Sequence, residues 1–156
     1  MMDIFDTAPK KGITFNYRGS HLDPELRPLW RMSLLVLILM KLCSANKANS
    51  KKLQALYSLV ASEKKRLLYT SDVNNHDSLN LRFDPLVDRT IDLGVGHLLF
   101  ELDDAKSIVL TSKGIAFGKR IEQDENIFIL EKQFMNKFKI SHFTDKRINS
   151  LITGER

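Results

Sequence analysis

Four histidines are the first residues in this chain whose side chains could bind a metal or move a proton. His21, His76, His97 and His142 lie far apart, with no His-x-x-x-His pair and no cysteine partner. A zinc site needs several histidine, cysteine or carboxylate ligands, often in closely spaced pairs. The sequence therefore predicts no metal site.

Carboxylates offer no better basis for catalysis. Asp84 and Asp88 would share a helix face, and Asp103-Asp104 occupy a turn, so capping and turn formation explain them. Gly94-Val95-Gly96 lacks the preceding strand and the Gly-Lys-Ser/Thr ending of a phosphate loop, and is predicted to stop a helix. We expect no catalytic residues, no cofactor and no small-molecule substrate, and hence a protein that is not an enzyme.

Basic clusters indicate binding instead. The candidate nucleic-acid contacts are Lys47, Lys51, Lys52, Lys64, Lys65 and Arg66. A helix that reads the major groove would carry Arg, Asn or Gln near its start. The best candidate for such a helix is residues 84–93, which contain one basic residue, Arg89, and three acids, Asp84, Asp88 and Asp92. These acids would repel the phosphates of DNA. This pattern favours contact with protein over reading of a DNA sequence, and leaves any contact with DNA indirect.

Composition sets the limits for these interpretations. The chain has 156 residues, a net charge of +5 and 43% hydrophobic residues, which suits a globular protein with a true core. Cys43 is the one cysteine, so neither an internal disulfide nor a cysteine zinc site can form. The apolar run Leu34 to Met40 is far shorter than the ~20 residues that span a bilayer, and no signal peptide is visible. These features predict a cytoplasmic protein without a membrane partner.

The order of predicted elements defines the fold class. A nearly all-apolar helix begins near Arg27, and a polar connector covers 44–49. The elements that follow are helices at about 51–61, 62–69 and 84–93, strands at 97–102 and 107–110 around a turn at Asp103-Lys106, and a helix at about 111–123. This order is typical of a winged helix-turn-helix module, in which a helix ends at glycine and is followed by a strand, a turn, a second strand and a helix.

The two ends of the chain supply candidate partner contacts. Residues 1–25 are predicted as an extended arm in which Ile13, Phe15 and Tyr17 alternate with polar residues. Two amphipathic helices are predicted after residue 124, and the first carries Ile127, Leu130, Phe134 and Phe138. These seven apolar residues are the predicted partner-binding set. We expect Phe134→Asp with Phe138→Asp to release a partner without unfolding the core.

Together these features predict an α+β, mostly helical chain. It would be a winged helix-turn-helix-like domain with a β-hairpin wing and extra C-terminal helices. We predict one domain over 1–156, made of the arm (1–25), the winged-helix core (26–123) and a helical extension (124–156).

Two stretches resemble a known family. They are Leu26-Arg27-Pro28-Leu29-Trp30-Arg31-Met32-Ser33-Leu34-Leu35-Val36-Leu37-Ile38-Leu39 and Asn46-Lys47-Ala48-Asn49-Ser50-Lys51-Lys52-Leu53. Over about residues 20–120 the chain resembles the small middle components of bacterial ABC three-component, Lamassu-type defence systems against phages and plasmids. The resemblance implies a winged-helix scaffold subunit, which joins an SMC-like ABC ATPase that senses DNA to an effector, often a nuclease.

Two alternatives remain open at this point. One is a winged-helix transcription regulator that binds DNA, dimeric through its terminal helices, although the acids of residues 84–93 oppose it. The other is an antitoxin-like inhibitor of a neighbouring toxin, which differs from the bridging subunit only in lacking an ATPase partner.

Overall fold

The structure is a computed structural model that describes residues 27–71 and 79–153. The described part is α+β and mostly helical, with one three-stranded antiparallel sheet. Its elements are α1 (Pro28–Leu42), β1 (Lys47–Ala48), α2 (Ser50–Ala61), α3 (Glu63–Ser71), α4 (Pro85–Gly96), β2 (Phe100–Leu102), β3 (Ile108–Leu110), α5 (Ser112–Gln123), α6 (Ile129–Met135) and α7 (Asp145–Thr153). The predicted arm with Ile13, Phe15 and Tyr17, and His21 and His76, lie outside the described residues.

Helix α1 is the centre of the fold. Every residue from Arg31 to Leu39 is buried, and α1 contacts α2, α4, α5, α6 and the sheet. An all-apolar helix is stable only when it is covered on most sides, which agrees with its sequence. The approach of α5 is especially close, because a Cβ on Gly118 would lie 2.9 Å from Val36 Cγ1 and 3.0 Å from Met40 Sδ. A larger residue at position 118 would therefore push α5 away from α1.

A side chain caps the start of three helices, and the predicted cap at Asp84 is one of them. Asn49 Oδ1 accepts from Lys52 N at 2.8 Å at the start of α2. Asp84 Oδ1 accepts from Leu86 N at 2.9 Å at the start of α4, where Pro85 is the first helical residue. Thr111 Oγ1 accepts from Gly114 N at 3.0 Å at the start of α5. Each side-chain oxygen pairs a backbone N–H that has no partner within its own helix.

The sheet has the order β1-β3-β2. Its first strand was not predicted, because residues 44–49 have the composition of a loop. In the structure they form a 3-10 turn, Ser44–Asn46, with Ala45 and Asn46 both at φ 54°, and then β1. Strand β1 pairs with β3 through Lys47 opposite Val109 and Ala48 opposite Ile108. The connector thus closes one edge of the hairpin formed by β2 and β3.

The predicted start of the hairpin is wrong, whereas the helix stop before it is correct. Strand β2 begins at Phe100 and not at His97, because Leu98 has a left-handed backbone (φ 62°) that a strand cannot continue. The predicted helix stop at Gly94-Val95-Gly96 is confirmed, since α4 ends at Gly96, although this is beyond the predicted range of 84–93. Gly94 is buried, and a Cβ there would overlap the ring of Phe100. The glycine therefore allows the strand to lie close against the helix.

The two helices predicted after residue 124 are present as α6 and α7, but the first does not include all of its predicted apolar residues. Phe128 has a left-handed backbone (φ 51°), so α6 begins only at Ile129 and ends at Met135. Ile127 and Phe138 consequently lie outside the helix. Helix α7 contacts α2 and buries Ile148 and Leu151.

Candidate docking surfaces and basic residues

An exposed apolar surface lies where α1 and α6 begin. The rings of Trp30 and Phe128, both half-buried, have centroids 5.2 Å apart and join the two helices. We call the exposed aliphatic residues that flank these rings the α1–α6 patch. They are Leu29 (65% exposed), Ile127 (38%), Ile129 (51%) and Leu130 (55%). Clustered exposed apolar side chains are typical of a surface that binds another protein.

This patch contains two of the predicted partner contacts, Ile127 and Leu130. Leu29 and Ile129 were missed by sequence reasoning, since nothing in the sequence indicates that Trp30 meets Phe128 across a separation of almost a hundred residues.

Phe134 and Phe138, two of the predicted partner contacts, pack against other parts of the same chain. Phe134 is only 3% exposed, and Phe138 is half-buried. Both pack edge-on against Tyr69 of α3, with ring centroids 6.2 Å and 5.5 Å from it. The expectation that Phe134→Asp leaves the core folded is therefore wrong, because a charge there would be buried among aromatic rings.

The same aromatic cluster includes His142 and Phe143. Tyr69 Oη lies 2.7 Å from His142 Nε2, and Arg147 Nη1 lies 3.0 Å from that nitrogen. Burial first, and the charge of Arg147 second, lower the pKa of His142. The ring is therefore held neutral near pH 7, where it orients Tyr69 and links α3 to the C-terminal region.

Gln54 positions the start of α4. Gln54 is only 2% exposed. Its Nε2 donates to Asp84 O at 3.0 Å and to Asp88 Oδ1 at 2.9 Å. Its Oε1 accepts from Asp84 N at 3.0 Å. Of the three acids of this helix, Asp88 therefore binds Gln54 through its carboxylate, and Asp84 binds it through its backbone N–H and carbonyl. Sequence reasoning missed this residue because a glutamine within a helix carries no signal of burial.

The outer surface of α4 and the start of the hairpin combine acids and leucines. Asp92 and Arg89 are exposed. Leu93 (40%), Leu98 (66%) and Leu102 (56%) are exposed over ten residues of chain at the α4–β2 junction. Asp103 in the following turn lies 3.8 Å from Lys47 Nζ. An acidic helix followed by exposed leucines is poorly suited to a phosphate backbone.

The six predicted basic contacts are not equivalent. Lys47, Lys51 and Lys64 are exposed. Arg66 is buried, donates to Val60 O and lies 3.8 Å from Glu131, so it is unavailable to nucleic acid. The Lys52 side chain is 12% exposed and lies 3.6 Å from Asp145 Oδ1. Lys65 is half-buried, and its Nζ donates to Ser58 Oγ at 2.6 Å.

Metal and thiol chemistry have little support in the described residues. In 27–71 and 79–153, no group of three or more His, Cys, Asp or Glu side chains is placed to hold a metal ion. Cys43 is buried at the end of α1, and burial raises the pKa of its thiol to about 12. A thiol held in its protonated form is a poor nucleophile.

Comparisons with models of known families, with curated proteins and with solved structures find no match to this chain. Among the described helices, none is both long and apolar enough to cross a bilayer.

Proposed function

We propose that this chain is a non-catalytic winged-helix adaptor, which links an SMC-like ABC ATPase to an effector nuclease in a bacterial DNA-sensing defence complex. The observation that carries the proposal is the α1–α6 patch, because four exposed aliphatic side chains around a fixed ring pair form a ready contact for another protein. The choice of partners rests on the resemblance of two segments, around Arg27–Leu39 and Asn46–Leu53, to the middle components of Lamassu-type systems.

The topology supports the winged-helix part of the proposal. A sheet of order β1-β3-β2 has the first strand leading into α2, and α4 leading directly into the β2–β3 hairpin. In such a module α4 is in the position of the helix that reads DNA, and the turn between β2 and β3 is the wing. Helix α3 is then an additional element between α2 and α4.

The surface chemistry supports protein as the ligand of this module. Asp92 and the Gln54-bound Asp88 occupy the reading helix, and Asp103 and Asp104 occupy the wing turn. The exposed leucines of the α4–β2 junction provide a second apolar surface, and an adaptor needs two. The transcription-regulator alternative would need cations in these places.

Co-purification tests the proposal. The tagged chain is expressed with its neighbouring genes and purified as the wild type, as a double variant and as a matched control. The double variant carries Ile129→Asp and Leu130→Asp, and the control carries Gln133→Asp, a change at an exposed residue of α6. We expect the wild type and the control to retain a coiled-coil ATPase and a second protein. The double variant should lose one of them, with affinity weaker by about 30-fold or more.

Stability must be measured on the same samples. The two patch residues are half-exposed, so the double variant should unfold within about 0.5 kcal/mol of the control. If the wild-type chain elutes alone and shifts its own promoter DNA, the adaptor proposal is wrong and the transcription-regulator alternative is favoured. Retention of both partners by the double variant would remove the patch from the proposal.

A further inference from the structure

A polar cleft that includes none of the residues of the α1–α6 patch lies beside α2. It is bordered by α2, by the start of α3 and by the segment before α4, and its volume is about 230 Å³. Its polar lining includes Ser58, Ser62, Lys65, Arg82 and Asp84. This volume has space for several waters, or for a small oxyanion with some of them. We call it the basic cleft.

The basic cleft holds two cations. Within the described residues, neither Lys65 nor Arg82 forms an ion pair with a carboxylate. Lys65 Nζ donates one of its three protons to Ser58 Oγ. Arg82 is held from one side by Asn80, whose side-chain oxygen, in the orientation that satisfies both groups, accepts from Nη2 at 3.1 Å and Nε at 3.2 Å.

The two serines add hydroxyl donors. Ser58 Oγ accepts from Lys65, and Ser62 Oγ accepts from Lys65 N at 3.3 Å, so each hydroxyl proton remains available to a ligand. Asp84 is the one acid in the lining, and its Oδ1 already caps α4. The lining therefore combines two positive charges and two hydroxyl donors with one carboxylate, which leaves a net charge of +1.

From this arrangement we infer that the basic cleft binds a phosphate group, with Lys65 and Arg82 contacting its oxygens and Ser58 and Ser62 donating to them. The two cations exceed the Asp84 carboxylate by one positive charge, so the cleft attracts an anion, and the tetrahedral oxygens of a phosphate accept donors from several directions. A planar carboxylate offers its two oxygens in a single plane and would reach fewer of these donors. The site lies apart from the α1–α6 patch and does not depend on the adaptor function.

The electrostatics of Lys65 agree with this inference. Burial, and then the nearby charge of Arg82, lower the pKa of Lys65. An anion between the two cations would offset this repulsion and raise that pKa again. Phosphate binding should therefore weaken as the pH rises through the lowered pKa of Lys65, because the neutral amine no longer attracts the anion.

Titration with inorganic phosphate and with a nucleoside 5′-monophosphate tests the site, against sodium chloride at matched ionic strength. Amide NMR shifts should saturate at residues 58, 62, 65 and 82. The dissociation constant should rise about tenfold or more in Lys65→Met and in Arg82→Gln. Lys64→Met, which removes an exposed neighbouring lysine, should bind as the wild type does.

The two ligands separate the sources of the phosphate group. Saturation by both would indicate a free phosphate site, and saturation by the nucleotide alone would indicate a phosphate ester. Shifts that match those in sodium chloride, or that persist unchanged in Lys65→Met and Arg82→Gln, would overturn the inference. Because the wild-type spectrum gives this answer directly, misfolding of a variant would not obscure it.

Discussion

Replacement of Gln54 should destabilise the fold by an amount that its hydrogen bonds predict. The side chain makes three hydrogen bonds to the start of α4 and is 2% exposed. Each such bond contributes about 0.5–1.5 kcal/mol net to the free energy of unfolding. The bond to Asp88 is at the lower end of this range, because Asp88 is exposed. Gln54→Met keeps the volume and loses all three bonds, so we expect a loss of about 2–3 kcal/mol, or about 4–12 °C in Tm.

Gln54→Glu separates hydrogen bonding from packing. The new carboxylate would face Asp84 O and the Asp88 carboxylate, both acceptors, so this variant should be less stable than Gln54→Met at pH 7. The native site raises the pKa of the new group above its unfolded value. Protonation at lower pH then restores a donor, and the difference between the two variants should shrink between pH 7 and pH 5.

Chemical unfolding at the two pH values measures both effects. Gln133→Met, an exposed change of the same kind, should stay within about 0.5 kcal/mol of the wild type. If Gln54→Met matched that control, or if Gln54→Glu showed no extra loss at pH 7, the hydrogen bonds of Gln54 would not hold α4 in place.

Three further predictions concern the core. Phe143 is fully buried in the aromatic cluster, so Phe143→Ala should cost about 3–5 kcal/mol in chemical unfolding, and a loss under 1 kcal/mol would contradict its place there. With a pKa of about 12, Cys43 should react with a thiol reagent at pH 8 at least about a thousandfold more slowly than the unfolded chain; equal rates would contradict its burial. The pKa of His142 is lowered in the fold, so the unfolded state takes up the proton first and stability should fall as the pH drops below about 6.5. His142→Phe should reduce that slope, measured as the denaturant midpoint at pH 7.5 and pH 5, and an unchanged slope would contradict the shift.

Local signals in the sequence were sufficient for most helix positions. The side chains of Asn49, Asp84 and Thr111 cap helices through contacts within four residues, so their function can be inferred without knowledge of the fold. The apolar run of α1 likewise predicts burial on all sides. The coarse class, α+β and mostly helical, followed from these elements.

Features that depend on distant contacts could not be inferred. Phe134 has the spacing of an amphipathic helix face, but only the position of Tyr69 decides that this face is internal. Arg66 sits within a basic run, and its burial depends on Val60 and Glu131. The two residues of β1 become a strand only because Ile108 and Val109 lie beside them.

Two left-handed residues explain the misplaced boundaries. Leu98 and Phe128 both have positive φ values, which bulky side chains adopt only when tertiary contacts hold them. Thr111 Oγ1 donates to Leu98 O, and the ring of Phe128 packs against Trp30. No residue-type preference at either position would indicate the break.

The central place of α1 has a consequence for synthesis of the chain. Lys41, near the end of α1, pairs with Glu122 of α5 at a sequence separation of 81 residues. At about 5–20 residues per second, the ribosome needs on the order of 4–16 seconds to make that stretch. During this interval the nearly all-apolar helix α1 has no α5 to cover it. Nascent chains that stop before residue 123 should therefore aggregate or recruit chaperones, and slow translation over residues 43–122 should lower the yield of folded protein.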